Sequence, residues 1–311
     1  MKIESINYFV KSEGKIYNCF LKGSFKKKYE YKKNKLFTTD IAVVGDFVEF
    51  ELNNEGYGLI YNILERKNFV SRKAPRIKGA TYRGSRLEQI IAANIDLSLI
   101  VQSADFPKFN NRTLDRYIVS AHACKIDFII LINKIDLVDE EFLNYWVNLY
   151  KKIGYKVYPV SAKDGVGFDE LKEIIKGNVN LVWGPSGVGK SSIINFLFPS
   201  VNLKVGEVSN YTSKGKHTTV TSQLLEFEND TYLIDTPGIR EIEPFGVSKI
   251  DLGHYFDEFK EFIPDCKFNT CTHNHEPGCA VIKAFEEGKI SEERYYSYLN
   301  ILATIEEDVF I

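Results

Sequence analysis

The amino-acid sequence predicts a multidomain α/β protein: a small N-terminal β-barrel, a central doubly wound sheet organised by a phosphate loop, and a C-terminal helical domain braced by a metal. Three observations carry that expectation. Residues 1 to 68 alternate short β-rich runs with polar turns and show no helical period. From Ala92 onward strand-like and helix-like stretches alternate, as a mostly parallel sheet requires. Three cysteines and two histidines then crowd into residues 266 to 279. At 311 residues the chain exceeds what one core usually supports, and the pattern divides it into 1–68, a basic connector 69–91, 92–244 and 245–311.

Composition narrows the function classes. With 44% apolar and 26% charged residues the chain reads as ordinary globular protein. No apolar run is long enough to span a bilayer, and Met1-Lys2-Ile3-Glu4 opens neither a signal nor a transit peptide. The expectation is a cytoplasmic monomer with no membrane partner. Residues 1 to 90 carry 18 Lys+Arg against 10 Asp+Glu, although the whole chain has a net charge of −2. The basic third is where a polyanion would bind, if its charge is more than a solvated surface.

Within the barrel segment the β-rich runs are Ser5 to Val10, Lys15 to Leu21, Leu36 to Phe37, Asp46 to Leu52 and Gly58 to Ile63. Val44-Gly45-Asp46 sets a tight turn before an alternating strand, as oligonucleotide-binding (OB) barrels often do. Lys26-Lys27-Lys28-Tyr29-Glu30-Tyr31-Lys32-Lys33, with Phe25 and Phe37 nearby, offers cations for a phosphate backbone and aromatics for bases. The same run also reads as a charged hairpin whose tyrosines pack on the barrel. Arg72 to Arg86, with Pro75, Gly79 and six positive charges, reads as a mobile connector.

The central pattern then runs strand (Ile95 to Val101), helix (Thr113 to Ala123), strand (Asp127 to Ile132), helix (Glu140 to Lys152), strand (Lys156 to Val160) and helix (Phe168 to Ile175). After the phosphate loop, Thr219 to Glu226 and Thr231 to Ile234 read as a hairpin. Leu252 to Phe262, Ala280 to Glu286 and Ser291 to Glu306 read as helices of a small domain with little core of its own.

The chemistry centres on Gly184-Pro185-Ser186-Gly187-Val188-Gly189-Lys190-Ser191-Ser192, placed between the strand Val179 to Trp183 and a helix carrying Ile193, Ile194 and Phe196. Glycines there let backbone N–H groups turn inward around phosphate oxygens. Lys190 supplies a charge for the outer phosphates, and the Ser191 hydroxyl can ligate Mg²⁺. Three more stretches follow predicted strands. Asn133-Lys134-Ile135-Asp136 puts a carboxylate where it can accept the ring N–H and exocyclic amine of guanine. Ser161-Ala162-Lys163 offers a backbone N–H to the guanine O6. Asp235-Thr236-Pro237-Gly238 places a carboxylate beside Mg²⁺ and a glycine N–H near the γ-phosphate.

These four stretches resemble the motifs of GTPases, but the base-reading pair precedes the phosphate loop, which makes the order circularly permuted. Asp235 to Gly238 then stands directly upstream of the C-terminal segment, where it can act as a lever. In the polar stretch between Lys204 and Thr221, Thr218 or Thr219 is the second hydroxyl for Mg²⁺, with Thr218 preferred. Ile239 stands where many GTPases carry a water-orienting Gln, so slow intrinsic hydrolysis is expected. His217 is the candidate to position or deprotonate the attacking water, its alternative being an exposed loop histidine.

Cys266, Cys271 and Cys279 with His273 or His275 form a ligand set for structural, tetrahedral Zn²⁺. Taken with GPSGVGKSS, NKID, GKHTT and DTPG, the chain resembles the ribosome small-subunit-dependent GTPase A family over nearly its whole length. That resemblance implies Cys266, Cys271, His273 and Cys279 as the zinc ligands. It also implies a GTPase stimulated by the small ribosomal subunit, acting late in its assembly, with rRNA as the polyanion for the barrel and release timed by hydrolysis of GTP to GDP.

Overall fold

The computed structural model describes residues 2–4, 7–25, 41–73, 88–199, 223–235 and 246–305. Strands β1 (Lys2–Glu4), β2 (Asn7–Ser12), β3 (Lys15–Leu21), β4 (Val48–Leu52), β5 (Gly58–Ile63), β6 (Phe69–Lys73), β7 (Glu88–Ala93) and β8 (Leu97–Ser103) come first. Helices then alternate with strands: α1 (Asn111–Ala123), β9 (Asp127–Asn133), α2 (Glu140–Ile153), β10 (Val157–Val160), α3 (Asp169–Ile174), β11 (Val179–Trp183) and α4 (Lys190–Leu197). The hairpin strands β12 (Gln223–Phe227) and β13 (Thr231–Asp235) precede α5 (Ala280–Glu286) and α6 (Glu292–Thr304). Each long helix starts where the sequence supplies a cap. Asn110 accepts the Thr113 N–H at 3.1 Å, Asp139 that of Phe142 at 2.8 Å and Ser291 that of Arg294 at 3.3 Å. Gly154 ends α2 in the left-handed conformation.

Contacts divide the chain into two units that do not follow the sequence segments. One comprises 1–99, 168–182 and 191–243; the other comprises 100–167, 183–190 and 244–311. In the first, the strand order is β11-β13-β12-β1-β2-β3-β5-β4. β11 and β13 run parallel, β12 and β13 form the expected hairpin, and Lys2 of β1 pairs with Gln223 of β12. β5 inserts between β3 and β4, parallel to β3. Around this sheet, Asp46 holds Arg66 through two hydrogen bonds of 2.6 and 2.8 Å, and Asn68 exchanges two 2.8 Å bonds with the backbone of Ile95.

β6 and β7 form a separate antiparallel pair, with Phe69 opposite Ala93. β6 and most of β7 fall in the segment 69–91 expected as a connector, because the charges, Pro75 and Gly79 between them outweigh the short apolar runs at either end. Most of that basic stretch, residues 74–87, lies outside the described residues, as do Lys26 to Lys33 and the expected strand at Leu36 to Phe37.

In the second unit the order is β10-β9-β8, with β9 and β10 parallel. Ile129 to Ile132 of β9 are buried without alternation, as a strand covered on both faces requires. Leu252 to Phe262 does not form the expected helix. It folds into two 3₁₀ turns, Leu252–Tyr255 and Asp257–Phe259, separated by an extended Phe256 (φ −106°, ψ 104°). The spacing of Leu252, Phe256 and Phe259 suited a helix, but the turns bury the same three side chains. They join Val119 of α1 with Val281, Tyr295, Tyr298 and Ile301 in one core, so the C-terminal segment has more apolar support than its composition promised. No described helix is long and apolar enough to cross a membrane.

Candidate nucleotide site and metal centre

The phosphate loop leaves β11 at Gly184 and enters α4 at Lys190. Two of its glycines are required by close approach. A Cβ on Gly184 (φ +147°) would lie 2.2 Å from the Val101 carbonyl oxygen, and one on Gly189 (φ +95°) would lie 2.2 Å from Nδ2 of Asn133. The Lys190 ammonium donates to the carbonyls of Gly184 at 2.7 Å and Pro185 at 2.5 Å, so it lies over the loop it serves. Val188 is fully buried, Ser186 and Gly187 are exposed, and Ser191 is buried at the start of α4.

Asn133, 2% exposed, ties two loops together. Its amide donates to the Val188 carbonyl at 2.8 Å, and its Oδ1 accepts the Ala162 N–H at 3.1 Å. The phosphate loop, the Asn133 stretch and the Ser161 stretch therefore meet on one buried side chain. Lys134, left-handed at φ +64°, donates to the Gly187 carbonyl at 2.9 Å and to the Phe106 carbonyl. Burial pushes its ammonium below the ordinary lysine value, while Asp136 and Asp105 push it back up. Ile135 opens a 3₁₀ turn that carries Asp136. The Ser161 hydroxyl lies 3.0 Å from Oδ1 of Asp136 and 2.8 Å from Oδ2 of Asp164, and with one proton it donates to only one at a time. Lys163 approaches Asp136 at 3.6 Å.

Asn133 and Lys134 thus bond the phosphate loop directly, Ala162 is joined to it through Asn133, and Asp136 gathers Ser161 and Lys163. Beside Asp136 opens a recess of about 570 Å³ lined by Leu137, Val138, Asp139 and Phe142. His217, Thr218, Thr219, Gly238 and Ile239 lie outside the described residues, as does the side chain of Asp235 at the end of β13. The turn from Ser103 to Pro107 contacts Lys134 through a backbone carbonyl, which no side-chain pattern encodes.

In the same unit, Cys266, Cys271, His273 and Cys279 place their ligand atoms within 4.8 Å of one another. Zn–S bonds of about 2.3 Å and Zn–N bonds of about 2.0 Å at tetrahedral angles require S···S near ~3.8 Å and S···N near ~3.6 Å. The cluster has Cys266 Sγ to Cys279 Sγ at 3.9 Å, and His273 Nδ1 at 3.6 and 3.4 Å from those two sulfurs. Burial pushes the Cys271 thiol up to about 12 and Cys279 above its ordinary value, while it lowers His273. A neutral imidazole is ready to ligate, and the thiols need a cation to deprotonate them. His275, the other candidate, is exposed.

The loop is held in shape by groups no motif announced. Glu276 accepts from the Thr272 N–H at 2.7 Å, the Thr272 hydroxyl at 2.5 Å and the N–H groups of Asn274 and His275 at 3.0 and 3.1 Å. Tyr295 and Tyr298 of α6 donate to the carbonyls of His273 at 2.9 Å and Thr272 at 2.6 Å. Deeper, Arg294, 1% exposed, binds Glu258 through Nε–Oε1 at 2.6 Å and Nη2–Oε2 at 3.1 Å, and also bonds Asp115 of α1.

The RsgA GTPase family model matches residues 63–245, and the RsgA N-terminal domain model matches residues 2–60. A small ribosomal subunit biogenesis GTPase RsgA 2 from Bacteroides thetaiotaomicron is 40% identical over 304 residues, covering 96% of this chain and 94% of its own. The crystal structure of YjeQ from Thermotoga maritima superposes with a TM-score of 0.72 at 32% identity, covering 96% of this chain and 92% of that one. YloQ, described as a circularly permuted GTPase, gives a TM-score of 0.70 at 28% identity over 96% and 91% of the two chains. Agreement in sequence and in fold over nearly the full length, with the Asn133-Lys134-Ile135-Asp136 stretch preceding the glycine loop in the chain, leaves one conclusion: the chain belongs to the RsgA GTPase family.

Proposed function

We propose that this GTPase binds the small ribosomal subunit, assists its late assembly, and uses subunit-stimulated GTP hydrolysis to time its release. The observation that carries the reading is Asn133, whose bonds to Val188 and Ala162 join base-reading and phosphate-binding stretches in the permuted order. In this reading Asp136 accepts from guanine, Gly184 to Ser192 cradle the phosphates, and Ser191, Thr218 and Asp235 complete the Mg²⁺ shell. His217 positions the water and Gly238 meets the γ-phosphate. The spans 1–68, 69–91, 92–244 and 245–311 are then barrel, connector, GTPase and zinc domain, acting as a cytoplasmic monomer.

The strand order β1-β2-β3-β5-β4, with β5 inserted parallel to β3 and antiparallel to β4, supports an OB-type barrel, a partly open five-stranded architecture. The net positive charge of residues 1 to 90 supports rRNA as its partner. The donor set and spacings at Cys266, Cys271, His273 and Cys279 support one structural Zn²⁺. Metal analysis of purified protein is expected to return about one equivalent of zinc, and chelation is expected to lower the thermal midpoint.

The deciding experiment measures GTP turnover with and without purified ribosomal subunits. Small subunits are expected to raise the rate severalfold and large subunits to leave it unchanged; no acceleration by any ribosomal particle overturns the proposal.

A further inference from the structure

We propose that the turn from Ser103 to Pro107 is a positioning element of the nucleotide site, holding the Lys134 ammonium in place before nucleotide arrives. This rests on the reading that Asn133 to Asp136 face the guanine nucleotide. The ammonium bridges two backbone carbonyls on separate loops, Phe106 in this turn and Gly187 in the phosphate loop. Lysine carries one of the largest side-chain rotamer entropies of any residue. Two carbonyl anchors remove much of that freedom in advance, so ligand binding need not.

The turn is built to present that carbonyl. Phe106 is left-handed at φ +46°, a conformation that costs a β-unbranched side chain energy and persists only when its surroundings impose it. Three contacts do so. The Asp105 carboxylate accepts the Phe106 N–H at 2.8 Å, the Ser103 hydroxyl donates to the Pro107 carbonyl at 2.6 Å, and the Ala104 N–H donates to the Asn133 carbonyl at 2.7 Å. Pro107 also closes on the phosphate loop, with its Cδ 3.4 Å from where a Cβ on Gly187 would stand. Ser103 is fully buried, so its hydroxyl acts on the turn and touches no ligand.

A double-mutant cycle with fluorescent GDP tests this. Ser103→Ala is expected to weaken GDP binding about three- to tenfold, the range of one net hydrogen bond. In a Lys134→Met background the same substitution is expected to change affinity by less than about twofold, because its effect runs through Lys134. Pro107→Ala, which loosens the turn from the other side, is expected to show the same dependence. Equal effects of Ser103→Ala with and without Lys134 would overturn the proposal, since a general structural role is additive. Asp136→Asn separates the underlying reading: unchanged preference for GDP over ADP in that variant would remove the guanine assignment itself, whatever the cycle returns.

Discussion

Gly189 and Asn133 are packed so closely that neither can change alone. A methyl group at position 189 would overlap Nδ2 of Asn133 and sit at a φ that L side chains rarely adopt. Gly189→Ala is therefore expected to weaken GDP binding by at least about tenfold, through loss of the bonds from Asn133 to Val188 and Ala162, as read by equilibrium titration. Residues of this kind were legible in the sequence because a phosphate loop needs glycine at fixed spacing. Ser103, Phe106 and Pro107 were not, since a carbonyl can be presented by almost any residue. The choice between His273 and His275 lay in between. Spacing allows both, and the burial of one imidazole favours His273, which is 3% exposed with Nδ1 toward two sulfurs, whereas His275 is exposed.

Among elements, α1 and α6 are joined by an ionic core. Arg294→Met would leave the buried Asp115 and the half-buried Glu258 without their cation, and is expected to destabilise the fold by about 3–5 kcal/mol in denaturant titrations. Arg294→Lys should recover only part of that, because a single ammonium cannot reproduce the fork on Glu258. At the edge of the same core, burial works to raise the Asp257 carboxyl. The His122 imidazole, its Nε2 3.3 Å away, and the Lys260 ammonium, which donates at 2.5 Å, outweigh it and hold the group well below the ordinary carboxylate range. A carboxyl depressed in the folded state stabilises above its unfolded pKa, near ~3.9, and the contribution is lost as pH falls through the folded value. Asp257→Asn should thus lower the thermal midpoint at pH 7, and the gap to wild type should close progressively below about pH 4. The helices expected at Thr113 to Ala123, Glu140 to Lys152 and Ser291 to Glu306 correspond to α1, α2 and α6, each opened by a side-chain cap. The 3₁₀ turns after Asp251 were misread because a helical spacing of Leu252, Phe256 and Phe259 also satisfies two tight turns around an extended Phe256.

For the whole molecule, the order of motifs along the chain was readable, whereas the pairing of distant segments was not. Domain boundaries drawn from composition cut the sequence into consecutive blocks, whereas each compact unit collects three separate stretches. The pairing of Lys2 with Gln223, reinforced by the ion pair of Lys11 with Glu226, is one reason. Nothing in a window of β-rich residues names a partner about 220 positions away. That pairing also sets a schedule. At roughly 5–20 residues per second of synthesis, β1 waits about ten to forty seconds for β12 to be made. A nascent chain must keep its first strand edge unpaired for that interval, so slow translation or early termination exposes it to aggregation and to proteases before the sheet can close over it.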